Sequence, residues 1–483
     1  MYGYCYAKAS AALSFLAGSR QRNEPLDSTR SSLRDEAEQV KKTIAELQMQ
    51  LSKLEDRLEV IQDTLSTVVY PINTLPPELL SQIFTAAVSA SPRGDVNFTL
   101  LQITAVCRRW HSVAIADPRL WTKLSYSIDG LDKRDLLFER FLRRARGLLI
   151  DFSSGGEDNW SSLPPCLFDS ASQWREAFLA TTHWPALSPV DCPHLTRLTL
   201  NIGSSVLESG LPLVLDVPHL RELSISIPNL VRQLTLPAHQ LRKLTITGTA
   251  THEEIAFMLL PLVALEELVL GEISDPVDAR DFPIRMPHLS SLSLLGMESC
   301  VILQSLVSPA LTTLHLGDFD CTDVGEQLHP FLRDSPARIT TLVVSPPDYA
   351  GFGFLLYHHG EKFTSVTHLK CTAPAIEMGH NTRNTCTDML SRTRNLPNLG
   401  KFTLVVPSGP AHIDPFVDGL ARRAANFDSA EEGEMKLTEL VVEFTPHDGA
   451  TLEHLRALKR LQKSTAIQIS VPGGCPTRSA WSS

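Results

Sequence analysis

Positions 106 to 114 read VCRRWHSVA, which gathers a thiol, two guanidinium groups, an indole and an imidazole into nine residues. Such a set could contact a nucleic acid, ligate a metal or supply a nucleophilic thiolate. Each use makes a demand on the rest of the chain. Nucleic-acid binding needs a basic surface, but the formal charge of the chain is −10 and no basic run surrounds Arg108 and Arg109. A zinc site needs ligands at helical i, i+4 or CxxC spacing. The nine cysteines are scattered without a CxxC, and the histidine pair in LLYHHGEKF, His358 and His359, lacks that spacing, so it reads as a surface loop. A reactive thiol needs an electropositive, accessible setting. Cys107 shares a face with Trp110 at a spacing of three, which reads as packing. GxSxG, GxxxxGK[ST], HExxH and GxGxxG are all absent, so the chain reads as non-enzymatic, with no metal and no cofactor.

Elements must position these residues, and composition bounds what they can be. With 483 residues, 43% hydrophobic and 20% charged, the chain has ordinary globular composition and can bury a large core. The odd, dispersed cysteines suit a reducing compartment. The run AALSFLA near the start is at the lower limit for a signal-peptide core, and the sequons at Asn97 and Asn159 carry little weight without a secretory route. No stretch reaches the ~18 apolar residues of a membrane span. The expectation is a soluble protein, cytoplasmic and/or nuclear, without nucleic-acid or membrane partners.

From Leu33 the apolar residues recur in steps of four and three. Ala37, Ile44, Leu51, Leu58 and Leu65 take heptad position a; Leu33, Val40, Leu47, Leu54, Ile61 and Val68 take d. This predicts a coiled-coil helix capped by Ser31 or Ser32 and stopped by Pro71. A seam so narrow wants a partner, either a second copy, as a homodimer, or another helix, unless the helix packs back on its own chain.

Next comes INTLPPELLSQIFTAAV at 72–88. Pro76, Pro77 and Glu78 start a helix there whose predicted buried positions are Leu79, Leu80, Ile83 and Phe84. After a loop, LLQITAVCRRWHSVAIADPRLW at 100–121 predicts a second helix with Ile103, Val106, Cys107, Trp110 and Ala114 on one face. LPPELLSQIF, VCRRW and PRLW, in that order, resemble the F-box, a three-helix module that docks a receptor subunit onto the Skp-type adaptor of a cullin-RING ubiquitin ligase. The resemblance implies that Leu75, Pro76, Leu79, Leu80, Ile83, Phe84, Val106, Cys107 and Trp110 form the adaptor-binding surface, and that Leu120 and Trp121 close the module onto the next domain. The stretch from Phe84 to Val106 is longer than in the compact motif, with SPRGDVNF as the extra segment. A longer loop costs little, because closure entropy grows only logarithmically with length.

Beyond residue 190 one pattern recurs: CPHLTRLTL, VPHLRELSI, AHQLRKLTI and MPHLSSLSL all fit LxxLxL, the strand core of a leucine-rich repeat. Its first apolar residue falls at 195, 220, 241, 265, 289, 311, 339, 366, 399 and 437. Helices are predicted between strands at 252, 300, 415 and 451. The asparagine expected after the core is missing, with Gly203 and Met297 in such places, which predicts an irregular, flattened arc. Residues flanking the buried leucines point to the opposite face. They form a row, Arg197, Glu222, Lys243, Glu267, Ser291, Thr313, Thr341, His368, Lys401 and Glu439. The row reads either as an ion-pair ladder or as a recognition surface, with Arg197, Glu222, Lys243, Glu267, His368 and Lys401 as the substrate-facing candidates.

The expected fold class is α plus α/β, comprising a coiled-coil helix, a small all-α F-box-like module and an irregular leucine-rich-repeat-like solenoid with a parallel sheet. The expected boundaries are a flexible segment at 1–30, the coiled coil at 31–70, the F-box-like domain at 71–122, a linker or first solenoid unit at 123–190 with a surface loop at 153–165, the repeat domain at 191–474 and a tail at 475–483. As a whole the chain resembles F-box proteins of the large families found in mushroom-forming fungi. The resemblance implies a substrate receptor that joins a Skp-type adaptor, and through it a cullin, to a protein substrate. The alternative is a coiled-coil and repeat scaffold without ligase association.

Overall fold

A computed structural model describes residues 26–67, 71–92, 95–127, 134–155, 169–181, 192–202, 213–214, 217–229, 234–274, 283–296, 298–317, 321–334, 337–346, 348–374, 380–407, 413–427, 435–444 and 452–471. Expectations for residues 1–25, Val68, the loop with Asn159, Gly203, Met297 and the tail lie outside these. Residues 1–80 and 81–483 form two compact units.

The first unit holds helix α1, Leu26–Thr67, 42 residues without interruption. No proline or glycine occurs within it, so nothing breaks the ladder. It starts before the expected cap, which places Ser31 and Ser32 inside the helix. Every a and d side chain from Leu33 to Ile61 is exposed. At ~1.5 Å per residue the helix is ~63 Å long.

Helix α2, Pro77–Ala90, is followed in the second unit by α3, Val96–Ala105, α4, Arg108–Ala116, and a 3-10 turn, Pro118–Trp121. The expected single helix over 100–121 is thus broken at Val106 and Cys107. Cys107 is extended, at φ −160° and ψ 168°, and its Sγ accepts the Trp110 amide at 3.5 Å, which makes it the N-cap of α4. A fresh helix start leaves amides without intrahelical acceptors, and the thiol takes one of them.

From there the chain builds one parallel sheet in sequence order. Its strands are β1 Lys123–Ser127, β2 Ile150–Gly155, β3 Trp174–Thr181, β4 Arg197–Ile202, β5 Glu222–Asn229, β6 Lys243–Thr251 and β7 Glu267–Leu270. Then follow β8 Ser291–Leu294, β9 Thr313–Gly317, β10 Thr341–Ser345, β11 His368–Thr372, β12 Lys401–Val406, β13 Glu439–Phe444 and β14 Gln468–Ser470, with Ile273–Ser274 added beside β6. Strands β1 to β3, with helix α5 (Arg134–Ala145) between the first two, continue into the same sheet as the LxxLxL strands. Gly155, expected in the surface loop, belongs to β2.

Strand alternation sorts the two faces. Leu198, Leu223, Leu244, Leu268, Leu292, Leu314, Leu342, Leu369, Phe402 and Leu440 lie in register on neighbouring strands, all buried. The connections carry α6 His252–Leu259, α7 Cys321–Asp334, α8 Tyr349–His359, α9 His380–Ser391, α10 Asp414–Asn426 and α11 Leu452–Ser464, and the last five pack on one another in chain order. Helix α6 opens with a capping box in which Thr251 and Glu254 satisfy each other's amides. The predicted helix at 300 is instead a 3-10 turn, Ser299–Gln304. Just beyond the LxxLxL cores, strand exits approach each other through glycine. A Cβ on Gly271 would lie 3.2 Å from Gly248 N, and one on Gly296 would lie 2.7 Å from Gly271 O.

Candidate functional site

In the helical module the side chains predicted to form one apolar surface divide. Leu80 and Phe84 are fully buried, Leu75, Cys107 and Trp110 half-buried, and Pro76, Leu79, Ile83 and Val106 exposed. The expectation that Leu79 and Ile83 are buried alongside Leu80 and Phe84 is therefore corrected. A helix meeting its neighbours over one stripe leaves the adjacent positions in water. Cys107 is likewise half-buried and engaged as a cap, not sealed in a core. Two apolar residues not singled out from the sequence, Phe98 and Leu101 on α3, are exposed as well. Leu79, Ile83, Phe98, Leu101 and Val106 thus put five large apolar side chains in solvent within one short stretch of chain.

Buried contacts hold that part of the module lying in the second unit. The Phe84 and Trp110 rings meet at 4.9 Å, while the Trp110 indole N–H is buried without an acceptor. Ser81 Oγ donates to Asp117, whose carboxylate also receives Arg119 Nε at 2.9 Å and Nη2 at 2.8 Å. Hydrogen bonds from Arg119, and then Ser81, hold the Asp117 carboxyl down to about 2 against the opposing effect of burial. Asp117 also caps the 3-10 turn through the Arg119 amide at 3.0 Å. The Asp-Pro step in ADPRLW was the available sequence signal for this cap.

Trp121 is fully buried. Its Nε1 donates to Ala114 O at 2.8 Å, its ring meets Phe141 of α5 at 5.0 Å, and the Arg144 guanidinium lies 4.4 Å over it. Asn97, noted in the sequence only as a sequon, receives the Ser125 amide at 3.2 Å and donates back to the Ser125 carbonyl. Its amide is occupied in fastening α3 to β1.

On the polar face of the sheet the row from Arg197 to Glu439 is in register on consecutive strands and extends back through Glu176, Asp151 and Lys123. Its charges meet one another. Arg197 reaches Glu222 at 2.6 Å and Glu176 at 3.0 Å, Lys243 reaches Glu267 at 2.6 Å, and Lys401 reaches Glu439 at 3.1 Å. Pairing with Glu222 raises the Arg197 pKa, and Arg197 in turn lowers that of Glu222. His368 Nε2 lies 2.8 Å from Thr403 Oγ1, with its pKa lowered by burial and then by Lys401. The sequence pattern did not reach Lys370, which pairs with Glu443 at 2.8 Å, 73 residues away.

The histidine pair is not a loop. His358 and His359 end α8, and His359 is buried with neither ring nitrogen hydrogen-bonded. Among the described residues no group of three His, Cys, Asp or Glu side chains is placed to hold a metal, and no helix is long and apolar enough to cross a membrane. Among the described residues Cys107, Cys371 and Cys386 are free thiols.

No curated protein matches this chain. The F-box-like family matches residues 72–127, a span that ends with β1, five residues beyond the boundary expected from the motif alone. Helices α2 to α4, the Pro118–Trp121 turn and β1 accordingly make up an F-box-like domain.

Proposed function

We propose that this protein is the substrate-recognition subunit of a Skp-cullin-F-box type ubiquitin ligase. F-box domains typically bind Skp-type adaptors, and F-box proteins are generally non-catalytic. The single observation that carries the reading is the F-box-like match over residues 72–127. The exposure of Leu79, Ile83 and Val106 within that stretch supports it, since solvated apolar side chains on a folded module mark an interface. In this reading Leu79, Ile83 and Val106 meet the adaptor with Leu75, Pro76, Cys107 and the exposed part of Trp110, while Leu80 and Phe84 shape the surface from beneath. The leucine-rich-repeat-like sheet offers its polar row to a protein substrate, and the chain accelerates transfer by holding that substrate near the ligase machinery.

The test is co-purification with a Skp-type adaptor. Ile83→Asp combined with Val106→Asp is expected to weaken binding at least ~100-fold, as loss of central apolar anchors does, with an unchanged melting temperature because both positions are exposed. Wild-type protein that fails to bind the adaptor overturns the reading.

A second reading is favoured by α1. Its exposed seam fits a non-enzymatic scaffold assembled through the helix, in which the repeats bind a partner and no adaptor is involved. Self-association through α1 is compatible with both readings, and adaptor binding separates them.

A further inference from the structure

Where the helical module meets the polar face of the sheet there is a cleft of about 460 Å³. Its walls come from the end of α2 and its following residue (Val88, Ser89, Ser91), Val96 of α3, and strands β1 to β4. It exists because Asn97 ties α3 to the Ser125 main chain, which stands the module over the first strand and leaves a corner above the next three.

The charges in this corner are not equally engaged. Asp151 is held by Arg175 through two bonds, at 2.9 and 2.6 Å, and Arg197 is shared between Glu176 and Glu222. Lys123 stands in register with Asp151, but that carboxylate is already taken by Arg175. The Lys123 ammonium therefore ends the ladder without a carboxylate of its own among the described residues. Ser89 and Thr199 add hydroxyls to its lining, and Phe178 adds apolar surface.

The cleft is also continuous with the row. Asp151, Glu176 and Arg197 line it and are early members of the line of residues that crosses every later strand. An extended chain lying across the strands would bring one end to this corner.

We propose that the cleft is the terminal subsite of the substrate face and takes a carboxylate side chain of an extended peptide, paired with Lys123. This rests on the reading of the sheet as a substrate surface. An ammonium without an acid among the described residues favours an oxyanion over a neutral or cationic group.

The test uses the full chain and fluorescent glycine-serine peptides with central glutamates, compared with the same peptides carrying glutamine or lysine. The glutamate peptide is expected to bind about fivefold tighter than the glutamine one, the size of a partly screened ion pair, and the lysine peptide weaker than both. Lys123→Gln should erase the preference and Lys123→Glu should reverse it. Equal binding of glutamate and glutamine peptides, no binding of either, or a preference that survives Lys123→Gln overturns the proposal. Adaptor co-purification on the same preparations keeps the two ideas apart. A glutamate preference that depends on Lys123 in a protein that ignores the adaptor preserves the cleft and removes the ligase reading.

Discussion

Arg423 is buried with its guanidinium on four main-chain carbonyls, those of Asn395 and Leu396 at 2.7 Å, Arg392 at 2.8 Å and Thr393 at 3.3 Å. It thereby fixes the turn from α9 to β12, in which Leu396 takes a left-handed φ of 54°. Lysine keeps the charge but not the planar fork, so Arg423→Lys leaves carbonyls unsatisfied and is expected to cost about 3 kcal/mol, read from urea unfolding. His359 is the contrary case, a buried ring without a hydrogen-bond partner. Burial, with Lys362 and His358 nearby, pushes its pKa down to about 4 from 6.5. The unfolded chain therefore takes up a proton that the folded one refuses. Stability is full above the unfolded value and falls as pH drops from there towards 4. Between pH 7.5 and pH 5 the loss from this group is about 2 kcal/mol. His359→Leu should remove that share of the acid sensitivity, and an unchanged pH dependence in the variant would count against the assignment.

Among the elements, α1 has the least internal support. Its apolar stripe from Leu33 to Ile61 lies in water along the whole described seam, and helices in globular proteins draw most of their stability from packing such a stripe. In a parallel pair, Glu36 at position g would face Lys41 at e of the next heptad, and the remaining e and g positions bring no like charges together. The expected solution species is a dimer of the 53.3 kDa chain by light scattering. Leu47→Asp with Leu54→Asp should return it to the single-chain mass with loss of far-ultraviolet helicity. A wild-type monomer would sink the self-association. The break between α3 and α4 is an element-level feature of another kind. Helical spacing joins Ile103 to Ala114 into one continuous face, yet Val106 and Cys107 leave the helix and the thiol starts a new one. Periodicity reports which positions share a face, but it does not register a cap that a cysteine can supply.

At the scale of the whole molecule, local repetition and distant pairing contributed differently. The heptads, the LxxLxL strands and the polar row were legible in the sequence because each follows from a period, 3.5 residues for the heptad pattern and two for the strand, that neighbouring residues enforce by themselves. The in-register columns through Leu198 to Leu440 and Arg197 to Glu439 follow from that period, since parallel strands of one motif align like with like. The order Leu-Pro-Pro-Glu-Leu-Leu followed by Cys-Arg-Arg-Trp likewise sufficed to mark the F-box-like domain. Tertiary structure alone decided which of its apolar residues face water, leaving Ile83 exposed and Phe84 buried one position away. It also converted Asn97 from a sequon into a tie to β1, buried His359, and, among the described residues, left Lys123 without an acid because Arg175 had taken Asp151. Each of these outcomes depends on which groups from distant parts of the chain arrive at the same place, and that competition for partners has no period from which it can be read.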